Sequence, residues 1–344
     1  MSMVTASQVE QQKVKRGSIV VGILVALIII VFIISMNTGH IRLSPFDVVK
    51  TLFGYGTPKQ HLILFEFRLP RIVIAVLIGA GLSVSGAIMQ GISRNALADP
   101  GILGINAGAG LMVMLFIFYF PTTTAAPAFM LPLLALLGAG LTAVLIFSLS
   151  YKRGEGITPT RLLLTGIAVA AGISAAMIVL TLKLDPDKYQ FVATWMAGSI
   201  WGTSWKYVYA LLPWILVLIP YVMIKARTLN VLNLGDATAK GLGAHVSKEQ
   251  LKLIGAGVGL AGACVAISGS IGFVGLIGPH LARRLVGSNH RFVLPVSAFL
   301  GALLVLTADL LGRSILQPKE VPVGIVVAVI GAPYFLYLLA RSKS

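Results

Sequence analysis

Carboxylates are scarce in this sequence. Only 11 Asp and Glu stand against 27 Lys and Arg in 344 residues, and no two of them share an apolar helix face where they could work as general acid and base. Cysteine is scarcer still. Cys264 is alone and lies in an apolar segment, which excludes an intrachain disulfide and a Cys-based metal site. The five histidines, His40, His61, His245, His280 and His290, are too dispersed to propose a metal centre. There is no G-x-x-x-x-G-K-[ST] loop to cradle a nucleotide's phosphates, so the chain has no means of hydrolysing ATP by itself. Low-complexity segments are absent.

What is present is apolar. Hydrophobic residues make up 57% of the chain and charged ones 11%, with a mean hydropathy of +0.93, whereas soluble domains carry about 25% charged residues. The fold class is therefore all-α, a polytopic membrane protein. A helical span takes about 20 apolar residues, so ten spans would use roughly 200 and leave no room for a separate soluble domain. Residues 1–344 read as one membrane domain, with spans at about 18–36, 70–89, 102–120, 128–150, 162–182, 207–224, 251–270, 273–287, 292–312 and 323–340. The eighth is too short to cross as a regular helix. The first apolar run exceeds the roughly 7–15 residues of a signal-peptide core and lacks a small-x-small cleavage site, so it is expected to stay as helix 1.

The net charge of +16 invites a nucleic-acid reading, but Lys and Arg are scattered singly between apolar runs and form no stripe. Topology explains them better: most fall in segments that share a side with both termini, which places those termini in the cytoplasm under the positive-inside rule. Three connections are too structured to be simple linkers. Residues 183–206, with Trp195, Trp201 and Trp205, read as an interfacial helix. Residues 225–250 form the longest cytoplasmic loop, and 88–103 form a polar break after span 2. Gly79–Gly86 and Gly257–Cys264 echo one another, which fits either inverted halves or plain small-residue helix packing. Gly104/Gly108 and Gly255/Gly259 have helix-contact spacing.

Residues 68–110 concentrate the most information. Arg68 and Arg71 are three apart, on one face at one end of span 2, and Asn95, Asp99 and Pro100 follow its other end. Irregular backbone at membrane depth survives only where protein or a water-filled cavity satisfies it. In the 225–250 loop, Asp236 stands where it complements a helix dipole and Gly243 suits a C-terminal cap, giving a helix of about two turns. Such a knob, with Ala237, Ala239 and Leu242, fits a groove on a soluble partner or stands as a capped surface helix.

Arg68-Leu-Pro-Arg71, Gln90 to Gly104, Gly235-x-x-x-Ala239-x-x-Leu242-Gly243, Gly272 to Arg283 with Pro279-His280, and Val321 to Phe335 occur in an order that resembles the iron-siderophore permease family of ABC importers, which includes the vitamin B12 permease. The resemblance covers about residues 40–340. It implies a type II importer permease fold, a second permease subunit (identical or a paralogue), two cytoplasmic ATPases that bind the ATP and magnesium, and an extracytoplasmic substrate-binding lipoprotein. It also implies a ferric siderophore as cargo, marginally a hydroxamate, which arrives already chelated, so that no cofactor or metal is bound by this chain. By the same resemblance Gly235, Asp236, Ala239, Leu242 and Gly243 contact the ATPase; Arg68, Arg71 and Arg313 dock the binding protein, where snorkelling at the interface would be the plainer role; and Asn95, Leu97, Thr158 and Thr160 form a cytoplasmic gate. The family's Asn-Pro-Leu is Asn95-Ala96-Leu97 here.

The alternatives are an ion-coupled secondary transporter and a cobalamin or haem importer of the same family. Proton-driven carriers usually place acidic relays inside the membrane; here Asp309 is close to the end of span 9 and the other acids fall in loops. No paired carboxylates, nucleophile-base set or metal motif marks the chain as an enzyme.

Overall fold

A computed structural model describes residues 6–38, 43–120, 129–152, 156–316 and 319–341. His40 and Arg153 lie outside the described residues. The chain is helical almost throughout. Helix α1 (Ala6–Asn37) is followed by two short helices, α2 (Pro45–Leu52) and α3 (Pro58–His61), and a π-helical stretch, Leu62–Arg68, that runs straight into α4 (Leu69–Ser93). A 3-10 turn (Pro100–Leu103) leads to α5 (Ile105–Tyr119), α6 (Met130–Ser150) and α7 (Pro159–Thr181). Then come α8 (Pro186–Met196), α9 (Trp205–Ile224), α10 (Ala226–Asn233), α11 (Asp236–Gly241), α12 (Val246–Ser268), α13 (Val274–Val286), α14 (His290–Ile315) and α15 (Val323–Arg341). Tyr151–Lys152 and Gly156–Ile157 pair as a two-residue antiparallel ladder.

Each of the ten expected spans corresponds to a helix: α1, α4, α5, α6, α7, α9, α12, α13, α14 and α15. Among the described residues seven are long and apolar enough to cross a bilayer alone, while Ile105–Tyr119 and Val323–Leu338 are shorter. Helix α13 has 13 residues, about 20 Å at 1.5 Å per residue, short of a hydrocarbon core of about 30 Å. The short helices are usable because their ends are buried in protein. Ser199 N donates to Ser268 O at 2.8 Å and Gly324 N to Gly198 O at 2.9 Å, so the irregular segments before α9, α13 and α15 satisfy one another.

Helix α4 is the axis of the bundle. In the 58–93 helix 83% of the most apolar window is buried, against 17% in α1 and in α7, which lie exposed on the outside of the bundle. Helices α12, α13 and α14 surround α4 at contact distances only glycine permits: a Cβ on Gly79 would run into the Gly301 carbonyl of α14, and one on Gly86 into the Gly275 backbone of α13. Association in lipid relies on such close approach because apolar burial no longer drives it. The Gly79–Gly86 and Gly257–Cys264 segments are themselves neighbours. Gly81 faces Cys264, and Ser85 Oγ donates to Gly257 O at 2.7 Å. Of the glycine pairs, Gly108 packs against Thr142 and Gly138, and Gly259 against Leu218 and Trp214, whereas Gly255 faces open space.

Among the described residues, the start of α1 and the end of α15 lie on one face of the bundle. Gly17 of α1 abuts Phe292 at the start of α14, and Arg284, in the last turn of α13, sits 5.9 Å from the Tyr337 ring of α15. Helices α10 and α11 project from the same face, since Asn230 of α10 bonds His290, the first residue of α14.

Candidate functional site

On the α11 face, α4 ends at Arg94 in the left-handed region (φ 54°), and the chain turns back through the break. Asn95 Oδ1 accepts from Leu97 N at 2.9 Å, and Asp99 Oδ1 from Gly101 N at 2.7 Å. These two side chains replace the hydrogen bonds a continuing helix would have made. Asn95 and Leu97 are half-buried at this bend. Thr158 is the residue before α7, and α7 packs on the Pro100–Leu103 turn. Neither Thr158 nor exposed Thr160 hydrogen-bonds Asn95 or Leu97, so apposition of these four in one gate is not made by direct polar contact.

Beyond the break the Asp99 side chain looks into a cavity of about 350 Å³ lined also by Gly101, Asn106, Gly272, Phe273, Leu276 and Phe335. Asn106 Nδ2 donates to Ser270 Oγ at 3.0 Å. Burial pushes the Asp99 carboxyl up to about 6, against the Gly101 N–H that favours its ionised form. Phe273, which starts α13, is held at φ 65°, a conformation rare for a bulky residue and found where the surroundings enforce it. The sequence reading named Asp99 in the break but missed this cavity, because its walls come from three segments far apart in the chain.

The 225–250 loop folds as expected locally. Gly235 (φ 104°) and Gly243 (φ 81°) bracket α11, with Gly243 N donating to Lys240 O at 2.9 Å and Ala244 N to Ala239 O at 3.0 Å, the αL closure that glycine makes easily. Asp236 is the first residue of α11 and Leu242 is 63% exposed. One residue departs from expectation. Ala239 is fully buried against this chain, so it seats the knob and offers no surface to a partner; Ala237 and Leu242 do. At the loop's end Lys225 Nζ donates to Glu249 at 2.7 Å, which raises the Lys225 ammonium above its ordinary range.

On the opposite face the three predicted arginines do converge, but inward. Arg71 Nε pairs with Asp309 at 2.8 Å and its Nη2 with Glu320 at 2.8 Å. Arg313 Nε lies 3.1 Å from the other Asp309 oxygen, close but poorly aligned for a hydrogen bond. Arg313 also donates to Ser35 Oγ at 2.5 Å and Thr38 O at 3.2 Å, and Arg68 donates to Met36 O. Asp309 is wholly buried, and the Arg313 and Arg71 side chains are 7% and 14% exposed. In this arrangement the guanidiniums neutralise a buried carboxylate and satisfy the orphan carbonyls that end α1, which leaves Arg71 the most open of the three. The sequence offered no signal for this, since the partner of Arg71 is 238 residues away.

Elsewhere, His280 packs edge-on to Tyr334 at 5.9 Å, and no group of His, Cys, Asp or Glu able to hold a metal occurs among the described residues.

A multi-pass helical bundle with half-length helices meeting at buried loops, an inner break and a projecting helical knob is the architecture of a membrane transport permease. The chain belongs to the FecCD transport family, whose sequence model matches residues 27–341. It is 49% identical over 335 residues to the iron(3+)-hydroxamate import system permease protein FhuG of Bacillus subtilis (strain 168), covering 96% of this chain and 99% of that one. It is 40% identical over 329 residues to the hemin transport system permease protein HmuU of Yersinia pestis, covering 94% and 96%. A solved metal-chelate type ABC transporter in an inward-facing conformation matches with a TM-score of 0.82 at 33% identity, over 94% of this chain and 99% of that one.

Proposed function

We propose that this chain is the membrane-spanning subunit of an ABC importer that carries a ferric chelate into the cytoplasm, with a ferric hydroxamate as the favoured cargo. The observation that carries the reading is the end-to-end match to FhuG, at 49% identity over 99% of its length. The chain then works beside a second permease subunit, with two ATPases that hold ATP and magnesium, and with an extracytoplasmic binding protein. The face bearing α10, α11, the start of α1 and the end of α15 is cytoplasmic. The knob takes the ATPase contact through Asp236, Ala237, Leu242 and the glycine-bordered turns at Gly235 and Gly243. Asn95 and Leu97, with Thr158 and Thr160 flanking the same turn, narrow the inner mouth, and the Asp99 cavity belongs to the route above it.

On the outer face a binding protein's carboxylate reaches Arg71, the most open of the three arginines, by competing with Glu320; Arg68 and Arg313 support that site from within. The buried acid speaks against the rival reading of a proton-coupled carrier. Asp309 is wholly buried and shared between two guanidiniums, a structural ion cluster rather than the accessible carboxylate that a proton relay needs.

The test is reconstitution of the chain with its ATPases, partner permease and binding protein in proteoliposomes, followed by uptake of radiolabelled iron. Uptake is expected to require ATP and the binding protein and to favour ferric hydroxamates over ferric citrate and haem. Uptake that persists without ATP and collapses with a proton ionophore refutes an ABC importer. ATP-dependent uptake that prefers citrate or haem removes only the hydroxamate assignment.

A further inference from the structure

The projecting knob has two attachments to the membrane helices, and they differ in kind. The first joins α11 to the end of α4. Arg94 Nη2 donates to Asp236 Oδ1 at 3.0 Å, with the two side chains 34% and 40% exposed. Arg94 is also the left-handed residue that terminates α4, and Asn95, whose Oδ1 holds Leu97 N, is covalently next. Gly235 completes the junction. Its φ of 104° suits no L side chain, and a Cβ there would stand 3.2 Å from Arg94 Nη1.

The second attachment joins α10 to α14. Asn230 Oδ1 accepts from both the backbone N and Nδ1 of His290, at 2.9 and 2.8 Å, and Asn230 Nδ2 donates to Asn289 Oδ1 at 2.9 Å. Asn289 is itself the N-cap of α14, accepting from Arg291 N at 3.0 Å. His290 is 1% exposed, and its Nε2 edge lies against Gly91 in the last turns of α4.

The two bonds to His290 are costly to break, because each leaves a polar group of a residue that is 1% exposed unpaired, and the exposed Asn230–Asn289 bond adds geometric restraint. One ion pair with both partners a third or more exposed contributes up to about fivefold in an equilibrium (about 1 kcal/mol), enough to bias where the end of α4 sits without locking it. The stiff contact therefore resists displacement and the soft one follows it.

We propose that Asn230–His290 is a pivot that fixes α10 to α14, and that Asp236–Arg94 is the drive contact through which a displacement of α11 pulls on the end of α4 and repositions Asn95 and Leu97. Arg94 and Asp236 are thus positioning residues for the inner mouth. The proposal rests on the reading that the α10–α11 knob meets the ATPase.

The experiment uses the assembled transporter in proteoliposomes and reads chelate carried per ATP hydrolysed. Arg94→Asp and Asp236→Arg are each expected to lower that ratio about two- to fivefold, the range an exposed pair supplies, while ATP turnover continues; the double exchange should recover at least half of the loss. Single variants with an unchanged ratio, or an exchange no better than the worse single, overturn the drive contact. If a single variant does not assemble, Arg94→Cys with Asp236→Cys in a Cys264→Ser background replaces it. That pair should be uncoupled when untreated and recoupled by a short bifunctional thiol reagent; coupling that ignores the reagent overturns the proposal. Leu242→Cys cross-linking to the ATPase separates the two levels. No cross-link sinks the knob reading itself, and a cross-link beside a failed exchange sinks only the drive contact.

Discussion

Replacing Asp309 tests what holds the outer end of the bundle together. The carboxylate is fully buried between Arg71 and Arg313, and removing one partner from a buried charge cluster costs about 3–5 kcal/mol because the remaining charges stay desolvated. Asp309→Leu should approach that range. Asp309→Asn keeps an oxygen that still accepts from Arg71 Nε, and Arg71 retains Glu320 while Arg313 retains Ser35 and the Thr38 carbonyl. Its loss should therefore be about 2–3 kcal/mol, near the value of one hydrogen bond to a charged group. Glu320→Gln is the internal control. Its side chain is 34% exposed, so the change should cost no more than about 1 kcal/mol. Thermal unfolding in detergent, at one fixed scan rate because such unfolding is often irreversible, should rank Leu below Asn and both below Glu320→Gln. The Leu variant should fall by at least about 6 °C, given roughly 2–4 °C per kcal/mol for domains of a few hundred residues. A shift for Leu no larger than that of Glu320→Gln would refute the structural role. If it left stability untouched but slowed binding-protein association, the arginines would be a docking site after all.

Three further outcomes follow from the geometry. Gly243→Val places a β-branched residue at φ 81° and should cost roughly 1–2 kcal/mol locally; insertion should be normal and ATP coupling reduced, and wild-type coupling in a folded variant would remove the knob from the mechanism. Asn95→Cys and Leu97→Cys in a Cys264→Ser background should change in reactivity toward a water-soluble thiol reagent between resting and nucleotide-trapped states; identical labelling in both contradicts a gate. Asp99→Asn should stabilise the protein at neutral pH. A desolvated acid raised from 3.8 to about 6 favours folding in its protonated form, and that contribution is lost as pH rises from about 4 through about 6; a stability curve across pH 4–7 that the substitution leaves unaltered would contradict burial of the charge.

Much of the local architecture was legible in advance. Long apolar runs had to become helices, since no other open structure satisfies its backbone in lipid, and all ten were found in place. Three short helices were missed, α2, α3 and α10; for the first two the signals were present, since Ser44 and Asp47, and Thr57 and Gln60, form reciprocal capping boxes with Pro45 and Pro58 at the first helical position. The interfacial segment was partly right. Helix α8 covers Pro186–Met196, but the chain around Ser199 then turns into the bundle to meet Ser268, a pairing that tryptophan content does not encode.

Sequence by itself determined the class of the molecule, the places where chain must cross a membrane, and the α11 knob, because apolar length and positive-φ glycines act within a few residues of where they stand. The tertiary structure decided which way the charges face. Arg68, Arg71 and Arg313 have the same residue types whether they greet a partner or neutralise Asp309, and only the packing of α1 and α14 around α4 sets which oxygen each guanidinium meets. Likewise, Ala239 in α11 and Leu242, which follows its last residue, are three residues apart, yet packing buries the first and leaves the second exposed. Neighbours in sequence fix local conformation; only neighbours in space fix the dielectric and the partner, and those are what make a charge structural or functional.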